Sequence, residues 1–122
     1  MTARKRRRKI RGSIDNKVLD GYFPPGFPGF LISEEVKALV GTLRISVEEL
    51  MEKLLPYAAS RSISPISKFT VGSVCRGESG NLYFGANIEF PGEVLHATIH
   101  SEQAAVANAI SYGETGIKAL AV

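Results

Sequence analysis

Two short clusters of polar side chains in the second half of the chain have the types and the spacing that site chemistry needs. The first cluster is Asn87 and Glu89, in a segment rich in strand-forming residues. Residues two apart in a strand point to the same face of the sheet, so this amide and this carboxylate can converge on one polar ligand. Such a pair suits two neighbouring sugar hydroxyls, and a hydrophilic strand edge is the alternative.

The second cluster is His100 and Glu102, at the start of a predicted helix. Their spacing is not the i, i+4 spacing of a helical metal pair. In a first turn, however, side chains lean back toward the N-terminus, so both groups can reach a ligand on the helix axis. The positive end of the helix dipole would favour a bound hydroxide or anion there.

Hydrophobic periodicity predicts the elements that must position these clusters. Alternation over residues 69–77 predicts a strand, residues 78–81 supply turn chemistry, and residues 82–90 predict a second strand, which together give a hairpin. The Ala-rich segment over residues 98–112 predicts a helix that Gly113 ends as a C-cap.

An apolar run of strand type follows this helix over residues 117–122. A strand after a helix predicts a parallel βαβ step, and such steps normally continue into further elements. The sequence therefore predicts an α/β fold whose sheet is incomplete at the C-terminus.

Two helices are predicted ahead of the hairpin. Ser33 followed by two acids predicts a helix over residues 33–43 with Ser33 as its N-cap. Ser46 and Glu49 have capping-box spacing ahead of an apolar stripe, which predicts a second helix. Pro56 is predicted to end that helix and to begin a further helical turn.

The composition indicates one globular domain. A chain of 122 residues with 44% hydrophobic side chains can bury a core. No apolar run reaches the roughly 18 to 20 residues that span a bilayer. The single cysteine, Cys75, forms no internal disulfide and is interpreted as a small buried hydrophobic residue of a strand. These features predict a cytoplasmic protein with no membrane partner.

A basic run opens the chain, because seven of the 15 Lys and Arg residues lie between residues 4 and 11. Such a run could bind nucleic acid or act as a nuclear address. No aromatic side chain is interleaved with these charges to stack on bases, so a solvated tail is the favoured interpretation.

Three segments together resemble cytidine deaminases in order and spacing. They read SPISKFTVG over residues 64–72, YFGANIEF over residues 83–90 and TIHSEQ over residues 98–103. The resemblance is greatest to the long, homodimeric kind of enteric bacteria. It implies an α/β/α layer fold with a mixed sheet, incomplete at the C-terminus and preceded by short helices. The expected organisation is a basic disordered tail (1–17), a connector with a short helix (18–45) and a partial catalytic domain (46–122).

The resemblance also implies roles for the two clusters and for Phe69. His100 would be the single imidazole ligand of a catalytic zinc ion, and Glu102 would carry a proton to the base without binding metal. Asn87 and Glu89 would hold the ribose hydroxyl, and Phe69 would pack against the pyrimidine ring. The implied reaction is hydrolytic, with a zinc-activated hydroxide attacking C4 of cytidine or deoxycytidine and ammonia leaving.

The sequence departs from the family pattern at two places. Ser101 stands where the family usually has Ala between the His and the Glu. The Pro-Cys-x-x-Cys segment that supplies two zinc ligands is absent, and neither Cys75 nor His96, interpreted as a loop residue, matches a ligand position. We therefore expect a fragment that is inactive alone and that dimerises when intact. A non-catalytic protein that binds nucleosides or a partner is the alternative, and a nucleic-acid-binding module is less favoured.

Overall fold

The computed structural model describes residues 16–92 and 98–122. Most of the predicted basic tail and His96 lie outside these residues. Residues 16–22 are helical (α1), so the predicted end of the tail at residue 17 falls inside a helix. The other elements are β1 (Phe30–Leu31), α2 (Ser33–Leu43), α3 (Val47–Ala59), β2 (Gly72–Gly77), β3 (Leu82–Ala86), α4 (Ser101–Ser111) and β4 (Ile117–Ala121).

The four strands form one sheet in the order β1-β3-β2-β4, and each neighbouring pair is antiparallel. The predicted hairpin is confirmed, with Ser73 opposite Gly85 and Cys75 opposite Tyr83. The predicted parallel βαβ step is present as β3-α4-β4, although these two strands do not pair with each other. Strands β3 and β4 do run in the same direction, but β2 lies between them because the crossover passes over one strand.

A mixed sheet is also not found in the described part of the chain. The only parallel contact there is an isolated bridge between Ile63 and Ile88, outside the named strands. The layers nevertheless follow the α/β prediction. Val74, Leu82 and Phe84 belong to the core cluster that includes α2 and α3. The alternate residues of the hairpin pack instead with α4, so the sheet is covered on both faces.

Helix α3 begins as predicted, because the Ser46 side chain accepts a hydrogen bond from the Glu49 N–H at 3.1 Å. The predicted break at Pro56 is wrong, since α3 continues through this residue to Ala59. Proline lacks an N–H, so the carbonyl of Glu52 loses its helical partner. Pro56 and Glu52 are both exposed, so water can satisfy that carbonyl.

Helix α2 is capped by a tertiary contact that local sequence does not reveal. Its N-cap is Ile32, one residue before the predicted Ser33. The Ser33 N–H donates to the Asn81 side-chain oxygen at 2.8 Å, and the Ile32 N–H donates to the Glu35 carboxylate at 3.1 Å. The turn of the hairpin thereby supplies an acceptor that a serine cap would have provided.

Both strands of the hairpin and helix α4 are shorter than the sequence patterns predicted. Outside the strand ladder, the Asn87 side chain holds Phe69 and Val71 beside the end of β3, together with one backbone hydrogen bond from the Asn87 N–H to the Val71 carbonyl at 3.2 Å. Ile99 pairs with Ile88 in an antiparallel bridge, so α4 begins at residue 101 rather than 98. The predicted end of α4 is confirmed.

That end is a Schellman motif at Gly113. Gly113 has a φ of +93°, and its N–H donates to the Ile110 carbonyl. The Glu114 N–H donates to the Ala109 carbonyl, which completes the motif.

Candidate functional site

A cavity of about 380 Å³ lies at the N-terminus of α4. It is bounded by the loop that precedes β2, by the segment that follows β3 and by the first residues of α4. All five residues to which the sequence analysis assigned a role in the site line this one cavity. These residues are Phe69, Asn87, Glu89, His100 and Glu102.

The Asn87 amide uses three of its four hydrogen-bonding positions within the protein. Its oxygen accepts from the Val71 N–H at 3.0 Å and from the Ser62 hydroxyl, and its nitrogen donates to the Phe69 carbonyl at 2.8 Å. One side-chain N–H remains without a partner among the described residues. Asn87 therefore positions the loop that carries Phe69, and it has one donor left for a ligand.

Glu89 is buried, with 4% of its surface exposed, and it also holds this loop. Its carboxylate accepts from the N–H groups of Ile66 and Ser67, each at 3.0 Å. Hydrogen bonds from the Ser67 side chain and amide lower the pKa of Glu89, with the charge of Lys68 contributing less. Glu89 is consequently ionised at neutral pH and can act only as an acceptor.

The Phe69 ring is unusually open for an aromatic side chain, with 70% of its surface exposed. The chain turns sharply just before it, because Lys68 has a φ of +60°. The Phe69 N–H donates to the Ser67 hydroxyl at 3.1 Å, which fixes the backbone of this turn. A flat apolar ligand in the cavity would cover the ring face.

His100 is the N-cap of α4, with extended backbone angles, and not a member of its first turn. Its N–H donates to the Gln103 side chain at 3.0 Å, while its imidazole makes no capping hydrogen bond. Glu102 is the second residue of the helix, and its carboxylate accepts from the Ser101 hydroxyl at 3.2 Å. The imidazole is thus available to a ligand or a metal ion in the cavity.

The sequence analysis predicted no structural role for three residues that lie beneath this site. Ser73 and Ser101 are buried, and their hydroxyl oxygens are 2.6 Å apart. A side chain at Gly85 would overlap the backbone of α4. The signal for Gly85 was present, because an isolated glycine within a strand often marks a close backbone approach. No sequence pattern indicated that the two serines meet.

The described residues do not fit a zinc ion with three protein ligands. They contain no group of three His, Cys, Asp or Glu side chains that could hold a metal. Cys75 is fully buried, as predicted, and its S–H group donates to the Ala105 carbonyl, with 3.4 Å between sulfur and oxygen. Burial, together with the charge of Glu114, raises the pKa of the Cys75 thiol to about 11, so it is not a thiolate at neutral pH.

A larger groove of about 750 Å³ lies elsewhere, between the segment after α1 and the end of α3. Phe23, Phe27, Tyr57 and Arg61 line it, and no carboxylate, imidazole or thiol does. The Arg61 guanidinium lies 4.2 Å over the Phe27 ring. Because the lining of this groove lacks these three groups, the smaller cavity at α4 is the candidate site. Within the described ranges, no helix has the length and apolar character needed to cross a bilayer.

Comparison with solved structures gives the same fold. The crystal structure of cytidine deaminase from Mycobacterium tuberculosis matches with a TM-score of 0.56 and 27% sequence identity. The match covers 61% of this chain and 58% of that one. Cytidine deaminase from Mycobacterium leprae matches with a TM-score of 0.54 over 60% of each chain. Its identity is 23%, so it supports the fold alone.

Comparison with curated proteins gives relatives named cytidine deaminase. One from Photobacterium profundum is 52% identical over 91 residues, which cover 75% of this chain and 31% of the relative. Another from Photorhabdus laumondii is 42% identical over 113 residues, which cover 89% of this chain and 38% of the relative. The chain thus spans about a third of the length of these relatives.

The family model for the cytidine and deoxycytidylate deaminase zinc-binding region matches residues 45–122. The matched residues include both polar clusters, the hairpin and α4. On this match, the chain belongs to the cytidine and deoxycytidylate deaminase family.

Proposed function

We propose that this chain contributes the nucleoside-binding cavity at α4 to a hydrolytic deamination of cytidine or deoxycytidine, which yields uridine or deoxyuridine and ammonia and which the 122 residues do not perform alone. Family membership supports the substrate class. The observation that carries the proposal is the shared cavity, in which an aromatic ring, an amide and three groups of acid or base character surround a space of about 380 Å³. That volume suits a small ligand of nucleoside size.

The sugar would bind at Glu89 and Asn87. The low pKa of Glu89 keeps its carboxylate ready to accept a hydrogen bond from a sugar hydroxyl. The remaining N–H of Asn87 can donate to a sugar oxygen. An amide and a carboxylate on the same side of one segment therefore offer a donor and an acceptor to one sugar.

The pyrimidine would bind between Phe69 and the N-terminus of α4. Stacking on Phe69 would cover the ring face that is open to solvent in the described structure. Glu102 would contact the base and carry a proton to it. His100 is the one candidate zinc ligand in the cavity, and since the described residues do not complete a zinc site, we propose no metal-dependent step for this chain.

The cellular location, the oligomeric state and the partners of the protein are also proposals. We infer a cytoplasmic protein, supported by its single buried free thiol. We infer that the intact protein is a homodimer, as the resemblance to the long kind of cytidine deaminase implies. We also infer that it binds neither membranes, because no apolar run in the sequence is long enough, nor nucleic acid, because no aromatic side chain lies among the basic charges.

The proposal is tested by measuring the affinity of the purified chain for cytidine and deoxycytidine by calorimetry. Phe69→Ala removes the proposed stacking platform, and because Phe69 is exposed, the fold should survive. We expect affinity to fall about tenfold, since stacking of one base on an aromatic ring is worth roughly 1–3 kcal/mol. Ile110→Ala, at a residue of α4 that is 52% exposed, is the matched control and should change nothing. Equal affinity of both variants and the unaltered chain would overturn the proposal.

A further inference from the structure

A pair of buried hydroxyls lies directly beneath the candidate proton carrier. Ser73 on β2 is fully buried, and Ser101 on α4 is 1% exposed. Their oxygens are 2.6 Å apart, which is a short hydrogen bond between hydroxyls. The Ser101 hydroxyl also lies 3.2 Å from a carboxylate oxygen of Glu102. These contacts connect the sheet to a carboxylate that lines the cavity.

The packing of the sheet explains why the two serines meet. Ser73 lies opposite Gly85 in the β2-β3 pairing. A Cβ at Gly85 would overlap the Ser101 carbonyl oxygen and the Ala105 nitrogen. The first turn of α4 therefore rests on the backbone of β3, which brings the Ser101 side chain down to Ser73.

The number of protons sets the direction of the hydrogen bonds. A serine hydroxyl has one proton to donate. Ser101 donates its proton to Glu102, so in its bond with Ser73 it must be the acceptor. The chain of donors therefore runs from Ser73 to Ser101 to the Glu102 carboxylate.

We propose that Ser73 and Ser101 are positioning residues that hold the Glu102 carboxylate at the cavity. The consequence for catalysis rests on the proposed function, which gives Glu102 the role of proton carrier. A glutamate side chain has three rotatable bonds, and a proton carrier must be held close to one geometry. Ser101 supplies a fixed donor from the helix, and Ser73 fixes Ser101 from the sheet.

The first test is a double-mutant cycle on stability, measured by urea unfolding of Ser73→Ala, Ser101→Ala and the double variant. Each single change leaves one buried hydroxyl without its partner, which should raise the unfolding equilibrium constant about tenfold. The double variant removes both hydroxyls and should lose less than the product of the two single effects. Ser111→Ala, at the exposed end of α4, is the control.

The second test separates positioning from a purely structural role. Side-chain couplings and methylene relaxation of Glu102, measured by NMR, report whether its carboxylate arm is held in one conformer. We expect rotamer averaging of Glu102 in Ser101→Ala, a smaller effect in Ser73→Ala and none in Ser111→Ala. Stability losses without any change at Glu102 would overturn the proposal. If the alanine variants do not fold, Ser101→Cys and Ser73→Cys keep the shape of the side chain and weaken the donor, and the same ranking is expected.

These readouts need no nucleoside, so the two proposals fail separately. If cytidine does not bind but Glu102 becomes mobile in Ser101→Ala, the proposed function fails and the positioning role stands. If cytidine binds and Glu102 is equally ordered in all variants, the positioning role fails and the proposed function stands.

Discussion

The side chains of Asn87 and Glu89 both hold the loop before β2 and line the cavity. Their side chains accept or donate hydrogen bonds to the backbone of Ile66, Ser67, Phe69 and Val71, and both side chains line the cavity. The aromatic ring and the proposed sugar-binding groups are therefore held in one hydrogen-bonded unit. Substitution of either side chain should disturb the loop as well as ligand contacts.

Two carboxylates, Glu89 and Glu114, predict that the stability of the fold falls in acid. Hydrogen bonds from Ser79 and then Tyr83 lower the pKa of Glu114, and those from Ser67 lower the pKa of Glu89. A folded-state pKa below the unfolded value means that the unfolded chain binds more protons as the pH falls. The stability these groups contribute is complete above about pH 4.3 and is lost as the pH falls through their folded pKa values.

Urea midpoints between pH 7 and pH 3 measure this effect. We expect a steady fall on acidification, and a shallower fall for Glu114→Gln, which cannot take up the proton. Glu52→Gln, at an exposed position of α3, should follow the unaltered chain. The same slope for Glu114→Gln and Glu52→Gln would contradict this account of Glu114.

At the scale of elements, short sequence patterns predicted a helix or strand correctly where its cause lies within the element itself. The alternation around Val74 and Phe84 predicted the hairpin, and capping-box spacing at Ser46 predicted the start of α3. The misses have tertiary causes. Asn81 caps α2 from a distant turn, and the Asn87 side chain adds two hydrogen bonds to the one backbone hydrogen bond that joins Asn87 to Val71 before β2. Neither contact leaves a signal within a short window of sequence.

For the site too, the sequence predicted local features and did not predict a tertiary contact. Residue types and spacing indicated the two polar clusters, and the family resemblance added Phe69. All of them line one cavity, whereas their roles stay predictions. The contact between Ser73 and Ser101 joins residues 28 positions apart, so no periodicity could reveal it.

The close contact of β3 with α4 gives a prediction at this scale. Gly85→Ala would force a methyl group into the backbone of α4, so we expect a loss of about 1–3 kcal/mol in unfolding free energy, as is typical of overpacking. Gly41→Ala is the matched control, because nothing lies within 4 Å of a Cβ there and the helix should gain about 0.5–1 kcal/mol. Urea unfolding of both variants measures the difference. A Gly85→Ala protein as stable as the unaltered chain would show that α4 does not rest on β3 as described.

For the whole molecule, the supply of metal ligands limits the chemistry. The sequence contains one Cys and two His residues, and Cys75 is buried as a protonated thiol. A catalytic zinc site normally needs three protein ligands. The family model that matches residues 45–122 describes a zinc-binding region, and the described residues supply fewer zinc ligands than such a site needs.

We predict that the 122-residue chain binds no stoichiometric zinc and does not deaminate cytidine by itself. Atomic absorption of the purified protein after dialysis measures the metal. Loss of cytidine absorbance over time measures turnover. One zinc ion per chain together with a measurable rate would show that other groups complete the site.

The central claim is that the described residues form one nucleoside site at the N-terminus of α4. Cytidine titrated into isotope-labelled protein, with chemical shifts followed by NMR, tests it most directly. We predict saturable shifts at Phe69, Asn87, Glu89, His100 and Glu102, with β4 unchanged. Shifts confined to the groove around Phe23 and Tyr57, or no saturable shift at the cavity, would contradict the claim.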